Sequence, residues 1–183
     1  MSKVFIGGSR SITRLPADVR DRIDRIVEKR LMVLVGDANG TDRAVQRYLH
    51  RKRYDLVEVF CAGGDCRNNV GGWQVRSVSA NGKRKDFGFF ATKDRAMATE
   101  ASVGLMLWNG KSKGTLMNVL RLVAREKTAV VYIAPTREFV DLRTRADVGP
   151  LFARCAPELR QRLEHEAAAE QRQDFAPRQA SLL

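Results

Sequence analysis

Residues suited to holding an anion are concentrated at positions 109–115, which read Asn-Gly-Lys-Ser-Lys-Gly-Thr. This segment follows an apolar run at 103–107 and precedes a helical pattern at 116–125. Glycine lets the backbone approach a ligand closely, and the N–H groups of a first helical turn point towards it. We therefore predict that this turn binds phosphate. Its candidate ligand-binding residues are Gly110, Lys111, Ser112, Gly114 and Thr115.

The first apolar run of the chain, residues 4–6, is followed by a turn of the same kind. This turn contributes Gly8, Ser9 and Arg10 as candidate ligand-binding residues. An arginine at this place can form a bidentate pair with a phosphate group, although it could also pair with an acidic residue of a neighbouring helix.

A third glycine-marked turn, residues 36–42, follows the apolar run at 31–35 and carries two carboxylates. Carboxylates repel phosphate, so they suit sugar hydroxyls, the edge of a base or a metal better. Asp42 could instead only cap its helix. The spacing fits neither a Walker loop nor a dinucleotide-binding glycine motif. The candidates in this turn are Gly36, Asp37, Gly40, Thr41 and Asp42.

The predicted helix at 93–101 begins with a charged run that includes Asp94 and Arg95. Arg95 and Glu100 could reach a pocket at the start of this helix. An exposed, charged helix is the alternative interpretation.

The net charge of the 183-residue chain is +12. Residues 136–183 hold eight arginines and eight acidic residues, so the whole excess lies on residues 1–135. Such a field attracts nucleotides, nucleic acid or acidic partners, while a solvated surface is the alternative. Basic clusters at 51–53 and 83–85 lie near aromatic residues, a combination that could bind single-stranded nucleic acid.

Buried strand patterns alternate with helical ones along the first 135 residues, which predicts a parallel sheet covered on both faces. We expect a Rossmann-like three-layer α/β/α sandwich with a mainly parallel five-stranded sheet over residues 1–135. The glycine- and asparagine-rich segment 61–90 is expected to form an insert with a β-hairpin that turns at Asn81-Gly82. A helical extension is expected at 136–173, where apolar faces could support a homodimer, and a disordered tail at 174–183.

Three cysteines and two isolated histidines do not form a zinc-binding pattern, so we predict neither a metal nor a cofactor. Cys61, Cys66 and Cys155 are expected to be structural or incidental. No apolar run approaches the length of a membrane span, and the N-terminus does not resemble a signal peptide. We therefore expect a cytoplasmic protein without a membrane partner.

Four motifs in this order resemble the SLOG superfamily, named for the DNA-processing Smf proteins and the LOG cytokinin-activating phosphoribohydrolases. They are Gly8-Ser9-Arg10, Gly36-x-x-x-Gly40-Thr41-Asp42, Lys93-Asp94-Arg95-x-Met97 and Ser112-x-Gly114-Thr115, and the match runs over residues 3–134. The resemblance implies a Rossmann-like fold with a nucleotide pocket at the carboxyl ends of the strands. Members include hydrolases of nucleoside monophosphates, sensors of NAD-derived signals and DNA-binding proteins.

The chain departs from the LOG hydrolases at one position. Their motif P-G-G-x-G-T-x-x-E ends in a glutamate that assists glycosidic cleavage, and Asn118 stands in its place. An amide cannot act as a general base, although Glu100 or Asp94 could substitute, as in related deoxyribosyltransferases. We therefore predict binding of a nucleotide or nucleotide-derived ligand. An N-glycosidase or base-transfer enzyme that acts on nucleoside monophosphates is the first alternative, and a nucleic-acid-binding protein is the second.

Overall fold

A computed structural model describes residues 2–79 and 87–174 of the chain. Its strands are β1 (Lys3–Gly8), β2 (Met32–Gly36), β3 (Val57–Ala62), β4 (Gln74–Val78), β5 (Val103–Trp108), β6 (Thr128–Ile133) and β7 (Glu138–Leu142). Its helices are α1 (Ala17–Glu28), α2 (Thr41–Arg51), α3 (Phe87–Glu100), α4 (Lys113–Val123), α5 (Arg145–Ala153) and α6 (Pro157–Asp174).

The described strands form one sheet in the order β4-β3-β2-β1-β5-β6-β7. All neighbouring strands are parallel except β6 and β7, which are antiparallel. The chain moves outwards from β1 to β4 and then returns to the other side of β1 to form β5. The order of the strands therefore reverses between β1 and β5, which is where open α/β sheets form their ligand crevices.

Alternate residues of the strands bury their side chains in two separate cores. Val4 and Ile6 of β1 pack with residues of α1 and α2 on one face of the sheet. Phe5, between them, packs on the other face with residues of α3, α4, α5 and α6. This alternation produces three layers, so the predicted Rossmann-like sandwich is confirmed.

The sheet contains two strands more than the five expected. Residues 74–78 were expected in an inserted hairpin, but they pair in parallel with β3 and continue the main sheet. The predicted turn at Asn81-Gly82 lies outside the described residues.

The second additional strand, β7, corrects the prediction that residues from 136 onwards are helical. It runs back along β6, with Phe139 opposite Tyr132 and their ring centroids 5.0 Å apart. Leu142 is buried in the core. The apolar residues of this segment therefore alternate between the two faces of a strand, although the same spacing also fits a helical pattern.

The helical part of the extension begins at Arg145, after a capping box made by Thr144 and Asp147. In α6, Leu163 is fully buried against the same chain. Dimerisation through this region stays a prediction, and of the tail expected at 174–183 only residue 174 is described, as the end of α6. None of the helices in the described part of the chain is both long and apolar enough to cross a membrane.

Candidate functional site

A cavity of about 510 Å³ opens at the carboxyl end of β1, at the point where the strand order reverses. The turn after β1, the loop before α2, the first half of α3 and the start of α4 surround it. The predicted residues that line it are Gly8, Arg10, Asp42, Asp94, Ser112, Gly114 and Thr115. The sequence motifs thus come together in space, although they are about 100 residues apart in the chain.

Five other predicted residues lie beneath the lining and support it. They are Ser9, Gly36, Asp37, Gly40 and Thr41, all of them buried. A Cβ atom at Gly40, whose φ is +84°, would collide with the backbone of Arg10. A Cβ at Gly36 would collide with the charged ends of Asp42 and Lys93. These two glycines therefore allow loops to meet under the cavity, and this is a packing role.

Ser9 ties the turn after β1 to the end of β5 and to the start of α4. Its hydroxyl donates to the carbonyl of Leu107, accepts from the N–H of Asn109 and lies 3.2 Å from the hydroxyl of Thr115. Thr115 also donates to the hydroxyl of Ser112, at 2.9 Å. The hydroxyls of Ser9 and Thr115 are therefore engaged in holding β1, β5 and α4 in register.

The amide side chain of Asn109 organises the loop before α4. Its oxygen accepts hydrogen bonds from the backbone N–H groups of Lys111 and Ser112, at 3.0 and 2.8 Å. These two N–H groups are consequently already satisfied by the chain itself. Gly110 and the exposed Lys111 do not line the cavity, so its α4 side is formed by Ser112 and the first helical turn.

Two arginines face an aromatic ring at the cavity. The guanidinium of Arg67 lies 4.4 Å from the centroid of the Phe90 ring, and that of Arg10 lies 6.0 Å from it. Arg10 is exposed, whereas Arg67 is held in place by Asp37. Arg67 donates its backbone N–H, Nε and Nη2 to that carboxylate, at 3.1, 3.0 and 2.6 Å.

The floor of the cavity is a cluster of buried charges around Lys93. The ammonium group of Lys93 lies 2.9 Å from Asp94, 3.7 Å from Asp42 and 3.9 Å from Asp37. Burial lowers the pKa of Lys93, but the neighbouring carboxylates of Asp94 and Asp42 outweigh it, so the pKa lies above its usual value. Lys93 is therefore a permanent cation in this cluster.

The pKa values of two carboxylates in the cluster, Asp42 and Asp37, are shifted in opposite directions. Burial raises the pKa of Asp42 to about 6, in spite of the attraction of Lys93. Burial also raises the pKa of Asp37, but the hydrogen bonds from Arg67 outweigh it and hold that pKa below its usual value. Asp37 is thus charged and fully paired, while Asp42 titrates near neutral pH.

Asn118, which replaces the glutamate of the LOG motif, lines the cavity and has both ends of its amide engaged. Its nitrogen donates to Asp94 at 3.3 Å, and its oxygen accepts from Arg121 at 2.5 Å. Arg121 is itself buried and pairs with Glu170 of α6. Asn118 therefore links the cavity to the C-terminal helix.

The structure corrects the placement of two predicted residues. Arg95 points to α6 and pairs with Glu170 at 3.2 Å, because it leaves α3 on a different side from Asp94. Glu100 lies in the last turn of α3, near the amino end of β1 and away from the cavity, where it pairs with Lys3 and Arg76. Of the two carboxylates considered for catalysis, Asp94 alone lines the cavity.

Three residues of the site were missed by the sequence analysis: Arg67, Phe90 and Lys93. Lys93 stands next to Asp94 in the quoted motif, so the motif itself carried the signal. Arg67 and Phe90 both lie in the segment 61–90 that was expected to form a hairpin insert, where the sequence gives no periodicity that would direct them to the site.

Cys61 and Cys66 are joined by a disulfide, and their Cα atoms are 5.3 Å apart. Among the described residues, they and Asp37 form a group whose potential metal-ligand atoms lie within 4.8 Å of one another. Both oxygens of Asp37 already accept hydrogen bonds from Arg67. This arrangement fits a paired carboxylate beside a disulfide better than it fits a metal centre.

No protein-family model matches the chain, and no curated protein sequence matches it. A solved structure is similar: DNA processing protein A from Helicobacter pylori, a protein that binds single-stranded DNA. The similarity covers 92% of this chain and 81% of that chain, with a TM-score of 0.54 and 13% sequence identity. At this identity the likeness shows the fold, and it agrees with the Rossmann-like architecture described above.

Proposed function

We propose that the cavity binds a single nucleotide unit. One observation carries this proposal: a cavity of about 510 Å³ at the strand-order reversal combines cationic side chains, an aromatic ring and a helix N-terminus. Small-molecule sites typically have volumes of about 300–1,000 Å³, with a few polar groups that fix the orientation of the ligand.

The phosphate belongs beside Arg10 and the start of α4. Arg10 can form two parallel hydrogen bonds to phosphate oxygens. Gly114 lies in the first turn of α4, at the positive end of the helix dipole, which favours an anion. Ser112 caps this helix and also lines the cavity.

The rest of the nucleotide meets groups of a different kind. The Phe90 ring offers an apolar surface for a base, and base–aromatic stacking contributes about 1–3 kcal/mol. Asp42 and Asp94 offer acceptors for sugar hydroxyls or for the edge of a base. Because both carboxylates adjoin Lys93, their charge is partly neutralised when no ligand is present.

Binding fits the cavity better than glycosidic cleavage does. Glu100 is remote from it, and both ends of the Asn118 amide are occupied. Asp94 is the remaining candidate nucleophile or base, and its two oxygens already accept hydrogen bonds from Lys93 and Asn118. Turnover by Asp94 is therefore the alternative that the experiment below must exclude.

Single-stranded nucleic acid is a second candidate ligand, favoured by the charge of the chain. Residues 1–135 carry the whole excess of +12, and the similar fold of DNA processing protein A belongs to a protein that binds single-stranded DNA. A nucleotide at the end of a strand, or one turned out of it, would present the same phosphate, sugar and base to the cavity.

A thermal-shift screen with AMP, NAD and ADP-ribose, followed by calorimetry, tests the proposal. A ligand that binds the folded state raises Tm by mass action. We expect Arg10→Gln to weaken binding by about tenfold to a hundredfold, the range for a lost charge-assisted hydrogen bond. Arg51→Gln, at the far end of α2, is the matched control and should bind as the wild type does.

Three outcomes have different consequences. Equal losses in the Arg10 and Arg51 variants would show general charge attraction and would overturn the cavity proposal. Release of free base that stops in Asp94→Asn would replace binding with turnover. No shift with any mononucleotide, but binding of a ten-nucleotide single strand, would move the function to nucleic acid.

A further inference from the structure

Two cysteines lie close to the ion pair of Asp37 and Arg67, of which Arg67 lines the cavity. Cys61 is fully buried near the end of β3, and Cys66 is half-buried in the loop that follows. Their Cα separation of 5.3 Å falls within the range of about 4.4–6.8 Å that a disulfide requires. The four residues between them include Gly63, at a φ of +78°, and the exposed Gly64.

This disulfide is adjacent to the residues that position Arg67. The carboxylate of Asp37 comes within 4.8 Å of both sulfur atoms. Arg67 follows Cys66 directly in sequence and donates three hydrogen bonds to that same carboxylate. The guanidinium then lies 4.4 Å from the centroid of Phe90, at the cavity. A change in the bond between the cysteines can therefore reach Arg67 in two ways: through Asp37, which neighbours both sulfur atoms and Arg67, and through the peptide bond between Cys66 and Arg67.

The loop after Arg67 has anchors that do not depend on the disulfide. Asn68 donates to the carbonyl of Asp37 at 2.7 Å, and Gln46 contacts both Asn68 and Val70. The segment 63–66, by contrast, is held at its C-terminal end by the disulfide from Cys66 to Cys61. We therefore expect reduction to loosen the segment up to Arg67 and to leave the fold intact.

We propose that Cys61 and Cys66 form a thiol–disulfide exchange site that takes small-molecule disulfides and controls how firmly Arg67 is held beside the cavity. The effect on ligand binding rests on the proposed function. The exchange chemistry and its effect on Arg67 do not.

The exchange balances with a low-molecular-weight disulfide as the oxidant. Cys66 attacks first, because it is the more accessible of the pair. Its thiol loses its proton, and its sulfur attacks one sulfur of the small disulfide. This step forms a mixed disulfide and releases one small thiolate. The Cys61 sulfur, after losing its proton, then attacks the Cys66 sulfur and expels the second small thiolate. The cysteines lose two electrons, and the small disulfide gains them.

The first experiment equilibrates the full chain in buffers of reduced and oxidised glutathione and traps free thiols by alkylation before mass spectrometry. We expect two thiols to appear together as the buffer becomes more reducing, while Cys155, which is buried just after the end of α5, stays a thiol throughout. Cys155→Ser is the matched control and should leave the titration unchanged. Cys66→Ser should abolish it.

The second measurement follows the backbone amides of Arg67 and Val70 by hydrogen exchange in both redox states. We expect hydrogen exchange at the Arg67 amide to become faster by about tenfold or more on reduction, because the hydrogen bond from this amide to Asp37 opens more often. Exchange at the Val70 amide should change little. The affinity for AMP should then fall by about threefold to tenfold on reduction. Wild-type protein shows this effect without any variant, so a Cys66→Ser protein that failed to fold would not prevent the test.

Several results would overturn the proposal. They are two thiols that persist in oxidised buffer, unchanged exchange at Arg67, and stoichiometric zinc that is released only when the cysteines are alkylated. If AMP binds in neither state while the thiol titration and the exchange at Arg67 behave as expected, the proposed function fails and the exchange site stands.

Discussion

At the scale of single residues, the cavity separates side chains that face a ligand from those that support the loops. Ser9 and Thr115 were predicted to bind phosphate, and the structure places both of them in hydrogen bonds within the chain. Hydroxyls and glycines suit anion sites and tight loop packing equally, so their types alone could not separate the two roles. Arginine gave a clearer signal at Arg10, which is exposed at the cavity.

The buried charges are the residue-scale feature that the sequence could not reveal. Asp37 comes from the loop before α2, Asp42 from the first turn of α2, and Lys93 and Asp94 from the middle of α3. Burial and the short distances to Lys93 shift the pKa values of Asp37 and Asp42. A sequence shows that these residues exist, but it does not show which carboxylate the arginine of a distant loop will neutralise.

Asp42→Asn should change how stability depends on pH. The pKa of Asp42 is about 6 in the folded protein, above the ordinary value of 3.8. A raised carboxyl pKa means that the folded state binds the proton more tightly than the unfolded state does. The stability that this proton contributes is complete below about pH 4 and is lost as the pH rises through 6.

Urea unfolding of the two proteins between pH 4 and pH 7 measures this effect. The difference in unfolding free energy should move in favour of Asp42→Asn by about 2 kcal/mol across that range, since each pKa unit corresponds to about 1.4 kcal/mol and pH 4 is already close to the ordinary carboxyl pKa. Asp141→Asn, on the exposed side of β7, is the control. Two curves for wild type and Asp42→Asn that stay parallel would show that Asp42 does not titrate there.

At the scale of elements, the sequence predicted the central strands and the helices between them, but it placed neither edge strand in the main sheet: β4 was expected in a hairpin and β7 in a helix. Buried parallel strands such as β5 read as continuous apolar runs, so their pattern is distinctive. Edge strands are only partly covered, and β4 is largely exposed. In β7, five residues satisfy both a two-residue and a helical period, and only pairing with β6 decides between them.

The helix α6 is held to the site by acidic side chains that meet cations of α3 and α4. Glu170 pairs with Arg95 and Arg121, and Glu166 pairs with Lys113 at the start of α4. Arg121 is only 3% exposed and also donates to Asn118 in the cavity lining. The C-terminal helix therefore supports the cavity from outside.

Glu170→Gln should destabilise α6 and loosen the cavity. The change leaves the charge of Arg121 buried without its carboxylate, which costs about 3 kcal/mol. Burial raises the pKa of Glu170, but the hydrogen bond from Arg121 outweighs it and holds that pKa below its usual value. The stabilising effect of Glu170 is thus present above about pH 4.5 and is lost as the pH falls through its folded-state pKa.

Hydrogen exchange over residues 157–170 and urea unfolding at pH 7 check this prediction. Glu164→Gln, an exposed change in the middle of the same helix, is the matched control and should leave both measurements unchanged. Equal protection of α6 in the wild type and in Glu170→Gln would mean that apolar packing around Leu163 holds the helix without the ion pairs.

At the scale of the whole molecule, charge and topology lead to separate expectations about the ligand. The reversal of strand order between β1 and β5 creates one compact cavity, which is suited to one nucleotide. The excess of +12 extends over residues 1–135, well beyond what that cavity contains. A small ligand would contact only the cavity, while a nucleic-acid strand would contact both the cavity and the positively charged surface.

The salt dependence of binding separates these two contributions. For a single strand, the logarithm of the association constant falls with the logarithm of salt concentration, with a slope of about −0.7 for each phosphate neutralised. We expect the slope for a ten-nucleotide single strand to be at least about twice that for AMP, because several phosphates can then reach the cationic surface outside the cavity.

The Arg10→Gln variant makes the comparison decisive. It should weaken AMP and the ten-nucleotide strand by similar factors if both place a phosphate in the cavity, and the steeper slope of the strand should remain. If the strand binds Arg10→Gln as well as it binds the wild type, it uses the basic surface alone, and the cavity serves a separate small ligand. If AMP and the strand show the same slope in the wild type, the charge outside the cavity contributes nothing to binding and acts only as a solvated surface.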